Sequence, residues 1–485
     1  MGDPEQHPGD IDLEAFREHG HELVDWIADY LANAERYPVL SQLKPGEVKG
    51  ELPDSPPEHG ESLEAIFRDV ESTIVPGLTH WNHPNFLAYF AITGSAPGIL
   101  GELLSAAFNV NGMLWATSPA LTELEETVVD WLRQMMALPE GWFGMIQDTA
   151  SVSTLCALAA AREAISDLDV REEGLSGAPP LTLYASDQAH SSIAKAGIAL
   201  GLGHGNVRSV PSDDAFRMDA DDLNRLIRAD RADGKWPFAV AATVGTTSTT
   251  SVDPVPEIAE VCERHGLWLH VDAAYAGPAA VLPERRDVLD GCDRADSLVV
   301  NPHKWLFTPI DCSVLYTSRP DVLRRAFSLV PEYLKTEHGD EATNLMDYGV
   351  ALGRRFRGLK LWYVLRAFGV EGIRARLREH LRLGERLVAW IEADPDFELM
   401  APAPFSTVCF RAHPDDWTDD EAELDALNER LLARVNATGE AYLSHTKLHG
   451  RYVLRASIGH LRTTEPHLAG VWALVKRELS TLLSE

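Results

Sequence analysis

Long apolar runs are missing from this 485-residue chain: no stretch stays apolar for the length a membrane-spanning helix requires. Cysteine is scarce. Its five occurrences, Cys156, Cys262, Cys292, Cys312 and Cys409, are odd in number and scattered, with no two at metal-ligand spacing. That argues against a disulfide scaffold and a metal site, and predicts buried free thiols in a reducing compartment. Basic residues are few, 43 Lys and Arg against 74 Asp and Glu, for a net charge of −31. Such a surface repels nucleic-acid backbones and anionic membranes, so neither is an expected partner. The opening Met-Gly-Asp-Pro-Glu-Gln-His-Pro has no basic segment followed by an apolar one, so no export leader is read there and a cytoplasmic location is expected. Internal repeats and low-complexity tracts are absent too, which argues against solenoids and propellers.

What is there is a globular composition, 45% apolar and 8% aromatic, in a chain long enough for two or three packed regions. Short apolar or β-branched runs occur at Leu181–Tyr184, Val207–Val210, Phe238–Val244, Leu267–Val271, Leu298–Val300 and Cys312–Tyr316. Helical segments at Ala194–Leu200, Asp221–Ala232 and Pro256–Arg264 fall between them. This alternation predicts an α/β fold, a mostly parallel sheet with helices on both faces. Ahead of it, apolar residues at helical spacing from Leu13 to Leu31 and from Leu63 to Ile74 predict two amphipathic helices, joined by an arm broken at Pro and Gly. Arg319–Gly349 is polar and weakly patterned, a loop long enough to be functional or disordered. A long helix interrupted at Gly369-Val370 then runs to about Ala393. Strand candidates Phe397–Met400, Val408–Arg411 and Tyr452–Ile458, with helices Leu424–Val435 and Leu468–Leu483, predict a small C-terminal α+β domain. The expected divisions are 1–95 for the arm and a pocket loop, 96–350 for the large α/β domain and 351–485 for the small one.

Three motifs at strand ends carry chemistry. Val299–Phe307 reads Val-Val-Asn-Pro-His-Lys-Trp-Leu-Phe, a lysine among apolar and aromatic residues directly after a β-branched run. Lysine is seldom buried without a partner; burial disfavours the ammonium and turns the amine into a nucleophile toward an aldehyde. Leu267–Gly277 runs an apolar strand into Asp272, then into small residues that let another group approach, at the edge where α/β sheets bind ligands. Ala185–Ser192 places His190 after a further strand. Taken singly, Lys304 reads as a snorkelling side chain, Asp272 as a helix cap and His190 as a turn residue as readily as anything functional. Taken together they suit pyridoxal phosphate. Lys304 would hold the aldehyde, Asp272 would keep the pyridine nitrogen protonated and so preserve the electron sink, and His190 would stack on the ring.

Two polar turns add to the set. Gln147-Asp148-Thr149-Ala150-Ser151 precedes an alanine-rich helix from Val152 to Ala164. Alone this is an ordinary N-cap; coupled with Lys304, the N–H groups, hydroxyls and positive dipole end at Thr149, Ala150 and Ser151 make a phosphate cradle. Asp148 is out of place beside a dianion unless its side chain points away or caps the helix. Gly245-Thr246-Thr247-Ser248-Thr249 lies at another strand end, where a structural threonine turn is as good a reading as a functional one.

The Asn-Pro-His-Lys-Trp, Val-Asp-Ala-Ala-Tyr and Asp-Gln-Ala-His-Ser-Ser stretches resemble the group II pyridoxal-phosphate decarboxylases, and among them the aromatic-L-amino-acid decarboxylases, from about Phe16 to near the C-terminus. The resemblance implies a fold-type I enzyme that decarboxylates an aromatic L-amino acid to its amine. It also implies a homodimer with the active site at the interface, whose N-terminal helices clasp the partner. Thr246, Asn301 and His303 would lie near the cofactor. Trp81, Tyr89, Phe90, Ile92, Met113 and Gly353 would form the substrate pocket. A mobile catalytic loop at about 319–349 would bring Tyr333 to return a proton after CO2 leaves. Asp148 departs from the pattern, since many relatives carry glycine there. Ile92 stands where relatives acting on catechols carry threonine, and Gly353 where plant relatives carry glycine for indoles and serine for phenols. Both favour tryptophan or phenylalanine, with tyrosine and dihydroxyphenylalanine left open. The alternatives are an aromatic aldehyde synthase of the same fold, against which Tyr333 and His190 speak, and a decarboxylase of another apolar amino acid.

Overall fold

The computed structural model describes residues 10–329, 342–415, 417 and 420–485. Seven strands build one sheet: β1 (Phe143–Gln147), β2 (Leu181–Ser186), β3 (Val207–Val210), β4 (Trp236–Thr243), β5 (Trp268–Asp272), β6 (Ser297–Val300) and β7 (Ser313–Thr317). Their order is β1-β7-β6-β5-β4-β2-β3. Neighbours from β3 to β6 are parallel, while β7 runs antiparallel to β6 and β1 antiparallel to β7. Every residue of β5 and β6 is buried, which is why both read as continuous apolar runs without alternation. His270 survives in β5 because its ring nitrogens meet Ser297 Oγ at 2.9 Å and Thr154 Oγ1 at 3.4 Å, and burial lowers its pKa to about 4, keeping it neutral. Cross-strand registers Thr243–Asp272 and Asp272–Val299 align the carboxyl ends of β4, β5 and β6.

The structure adds to the local reading in places. β1 lies in a stretch not read as a strand; Gly144 rests on the Tyr316 ring, where an added Cβ would come within 2.8 Å, so the glycine is what permits the pairing. The helix that begins with Leu63–Asp69 passes through a π segment, Val70–Ile74, and ends at Gly77, where Pro76-Gly77 closes it. The long loop is shorter than Arg319–Gly349, since Pro320–Phe327 is helical and Leu345–Tyr348 forms a 3-10 turn. Tyr333 lies outside the described residues.

The helix Arg357–Glu392 leads to the C-terminal part and bends at Gly369, whose φ of 62° and ψ of 169° suit only glycine. Its first turns pack on the helix Ala96–Phe108, with Gly101 so close that a Cβ would reach 2.6 Å from Lys360 Cα. Beyond it, β8 (Phe397–Leu399), β9 (Thr407–Ala412), β10 (Ser444–Leu448) and β11 (Arg451–Ser457) form an antiparallel sheet ordered β10-β11-β9-β8. Helices Glu421–Ala437 and Glu465–Ser484 enclose a second core around Leu427, Leu431, Phe410, Leu454 and Trp472. The beginning of the chain is stitched to this end: Val39 N–H donates to Gly439 O at 2.8 Å, and Leu87 N–H to Tyr442 O at 2.9 Å. All five cysteines are free and buried. Among the described residues no helix is long and apolar enough to cross a membrane.

Candidate active site

A cavity of about 460 Å³ opens at the carboxyl edge of the large sheet. Lys304 enters it from the short helix Pro302–Trp305, started by a proline directly after β6 and held by Lys304 N–H to Asn301 O at 2.9 Å. Its Nζ lies 5.2 Å from the centre of the Phe90 ring and makes no hydrogen bond or ion pair with a described residue. Burial pulls its pKa below the usual lysine range; Asp272 opposes that fall and Arg455 adds to it. Asp272 ends β5, buried, with Oδ1 accepting from Ala274 N–H at 3.1 Å.

His190 caps the helix Ser191–Ala199, its Nδ1 accepting the Ser192 N–H at 3.2 Å. The proton of the neutral ring therefore sits on Nε2. Burial lowers its pKa, with Asp272 opposing and Lys304 assisting, so the face offered to the cavity is that of an uncharged imidazole. His303 is driven down to about 3, by burial first and the Lys304 charge second, and accepts from Cys312 N–H at 2.9 Å. The residue after the lysine is braced from behind: Phe90 stacks on Tyr275 at 3.7 Å, Tyr275 on Trp305 at 5.1 Å, and Trp305 Nε1–H donates to His380 Nδ1 at 2.9 Å.

The structure gathers ten of the residues singled out from sequence into the cavity wall: Lys304, Asp272, His190, Thr149, Ala150, Ser151, Asn301, His303, Tyr89 and Phe90. Others lie elsewhere. Thr246 is folded into its own turn, its Oγ1 accepting the Ser251 N–H at 3.0 Å, and Gly245, Thr247 and Ser248 line the wall in its place. Trp81 stacks on Phe86 at 4.2 Å, outside the lining, and Ile92 is not in it either. Met113 and Gly353 belong to a separate patch, tied by Met346 N–H to Met113 O at 3.1 Å and Gly112 N–H to Arg354 O at 3.0 Å.

Arg455 is the principal wall residue not read from sequence. It comes from β11, is 5% exposed, and pairs with no carboxylate among the described residues. Its Nε–H donates to Ser248 O and its Nη1 to Ala88 O, both at 3.0 Å, and its guanidinium lies 4.7 Å over Phe90. An arginine in the middle of the apolar run Tyr452–Ile458 was the available signal.

The wall fits a phosphorylated pyridine aldehyde. The N–H groups of Ala150 and Ser151, at the start of the helix Ala150–Glu163, have no partner among the described residues. Two buried side-chain oxygens of the same wall, Thr243 Oγ1 and Asn301 Oδ1, are also unpartnered. With an amine and a carboxylate in the same cavity, fold and site define an α/β enzyme of the kind that works with pyridoxal phosphate.

The chain belongs to the pyridoxal-dependent decarboxylase family, whose conserved domain matches residues 45–413. It is 42% identical to a tryptophan decarboxylase of Camptotheca acuminata, over 98% of this chain and 96% of that protein. It is equally 42% identical to tyrosine decarboxylase 4 of Petroselinum crispum, over 98% and 95%. The crystal structure of Oryza sativa TDC with pyridoxal phosphate and tryptamine superposes with a TM-score of 0.95 at 39% identity, covering 98% of this chain and all of that one. The enzyme is thus a pyridoxal-phosphate-dependent carboxy-lyase.

Proposed function

We propose that this enzyme decarboxylates an aromatic L-amino acid to the arylalkylamine and CO2, with tryptophan or phenylalanine preferred and tyrosine or dihydroxyphenylalanine accepted. The observation that carries it is the cavity wall: aromatic rings of Tyr89, Phe90 and Tyr275 beside Lys304, and one arginine, Arg455, with no carboxylate of its own. Apart from Lys304, which the cofactor would take, a side-chain carboxylate would find no lysine or arginine beside Arg455 in the described lining, which disfavours acidic amino acids. Relatives named for tryptophan and for tyrosine stand at equal identity, consistent with a pocket that rejects an added hydroxyl only weakly.

Pyridoxal phosphate, when bound, supplies the sink for the electron pair left as CO2 departs. The chain does the rest. Lys304 would hold the cofactor through its aldehyde. Asp272 would set its charge against the pyridine nitrogen and keep a proton there. His190 would offer its neutral ring to the cofactor. The helix start at Thr149, Ala150 and Ser151 would take the phosphate, with Asn301 and His303 beside the cofactor in the same wall. Arg455 orients the substrate carboxylate, and the aromatic wall strips it of water, favouring its loss as neutral CO2. Tyr333 is assigned from sequence alone to return the proton to the substrate carbon. Its presence with His190 favours amine over aldehyde.

The test is a substrate panel under air, measuring amine, CO2, aldehyde and peroxide for wild type and Arg455→Gln. Wild type should release amine and CO2 in equal amounts from tryptophan or phenylalanine and leave glutamate untouched. Arg455→Gln should lower kcat/KM by about tenfold or more, the scale of a lost charge-assisted contact. Aldehyde with peroxide as the main products, or faster turnover of glutamate, would reject the reading.

We also infer a homodimer with the active site at the interface. Its support is the exposed apolar stripe of the arm, where Leu13 is 72% and Phe16 60% exposed and Leu23, Val24 and Ile66 are exposed as well. It also gives Met113 and Gly353 a role, each subunit presenting them to the other's cavity. Sedimentation should show twice 53.4 kDa, and deleting residues 1–75 should abolish activity. A soluble, active monomer from that deletion would remove the idea. The same reading keeps the divisions at 1–95, 96–350 and 351–485, supported by two sheets with separate cores. A cytoplasmic location is supported by the five unpaired thiols, and finding the enzyme in an exported fraction would overturn it.

A further inference from the structure

We propose that Asp148 is an internal competitor of the cofactor phosphate, claiming donors at the helix start that the phosphate needs, so that the enzyme holds and exchanges pyridoxal phosphate more loosely than its cradle would otherwise allow. This rests on the reading of the start of Ala150–Glu163 as the phosphate site.

Asp148 is the single residue between the end of β1 at Gln147 and the helix cap, Thr149. Its Oδ1 accepts the Thr149 N–H at 2.5 Å and lies 3.3 Å from Thr149 Oγ1, whose hydroxyl donates to it. A threonine in the cap position ordinarily turns its hydroxyl oxygen to the first free N–H groups of its helix. Thr149 makes no such bond. Of the donors at this helix start, two are therefore engaged by a carboxylate and two, the N–H groups of Ala150 and Ser151, remain for an anion. The arrangement is internally satisfied, because a carboxylate at a helix N-terminus completes unpaired donors and complements the dipole.

A phosphate at the same place meets two costs. It must either forgo the Thr149 donors or displace Asp148 from them, and it must sit within a few ångströms of a formal negative charge on the way in. Its charge is also felt at Arg357, whose guanidinium is lowered by burial but held above its usual range by the Asp311 bonds at 2.9 and 3.1 Å, with Asp148 contributing. The rest of the pyridine site, Lys304, Asp272 and His190, is untouched by this competition, which acts on the phosphate alone.

Pyridoxal, which has the same ring and aldehyde without the phosphate, separates the two levels. Full-length wild type, Asp148→Asn and Asp148→Ala are stripped of cofactor and titrated with pyridoxal phosphate and with pyridoxal, following the visible absorbance of the bound form. Loss of cofactor from the diluted holoenzymes is followed in parallel. Both variants should bind pyridoxal phosphate about tenfold or more tightly, from removal of one like charge at close range, and release it more slowly. Pyridoxal should bind all three proteins alike. Unchanged or weaker pyridoxal-phosphate binding in both variants would show Asp148 to be a plain cap and overturn the proposal. The underlying reading is checked in wild type: if pyridoxal bound as tightly as its phosphate ester, and inorganic phosphate did not compete, the helix start would not be the phosphate site.

Discussion

Lys304→Ala is expected to abolish steady turnover and the visible absorbance of the lysine–cofactor link, while the circular dichroism of the protein stays that of wild type. Loss of a group that bonds covalently to the cofactor removes several orders of magnitude in rate rather than a share of it. The fold should survive because Lys304 makes no ion pair or hydrogen bond with a described residue, so shortening it orphans nothing. Burial of an unpaired ammonium is itself unfavourable, and the alanine variant should be at least as stable to heat as the cofactor-free wild type. Absorbance, melting temperature and single-turnover kinetics measured together decide it. Multiple turnovers at near wild-type rate would mean that another amine holds the cofactor.

Asp272→Asn is the second large effect, and it separates charge from shape. Asparagine keeps an oxygen for the Ala274 N–H, so the turn after β5 should hold. What is lost is the negative charge opposite the pyridine nitrogen, and kcat should fall by roughly 10²–10³ or more, as for other groups that stabilise charge at a reacting centre. A rate within threefold of wild type, about 0.7 kcal/mol of barrier, would refute the role. A second signature comes from the neighbours. Asp272 opposes the fall in the Lys304 and His190 pKa values, so removing its charge should lower both further. In the cofactor-free protein, imine formation with added pyridoxal phosphate needs the neutral Lys304 amine, so the pH dependence of its rate should move to lower pH. A merely structural loss would not shift that dependence.

The parts of the fold that were legible are those where burial leaves a mark on composition. β5 and β6 are buried on both faces and read as apolar runs interrupted by His270, and the residues at or just beyond their ends, Asp272 and Lys304, stand out because they are charged. β1 was hidden because its glycine serves close packing on Tyr316, and glycine in a short run looks like a turn. β10, Ser-His-Thr-Lys-Leu, is an edge strand with polar residues and no apolar alternation. It nonetheless brings Ser444, His445 and Thr446 to the cavity. At the turn after β4 the polar cluster was visible, but which of its members face the cavity depends on backbone geometry: Gly245 at φ 91° and Thr250 at φ 59° turn Thr246 inward toward Ser251. Met113 and Gly353 show a further limit: both were read into the pocket, yet neither lines the cavity, because their segments pack on each other away from it.

The walls of the cavity come from distant parts of the chain: Tyr89 and Phe90 from near its start, the cofactor-facing residues from 149 to 304, and Ser444 to Arg455 from near its end. During synthesis Lys304 therefore leaves the ribosome while Arg455 does not yet exist. At ~5–20 residues per second the gap lasts roughly 8 to 30 seconds. For that interval the strands that present the lysine and the aspartate are made, but the arginine and the β10 edge are not. The last part of the site to be made is the arginine proposed to hold the substrate carboxylate.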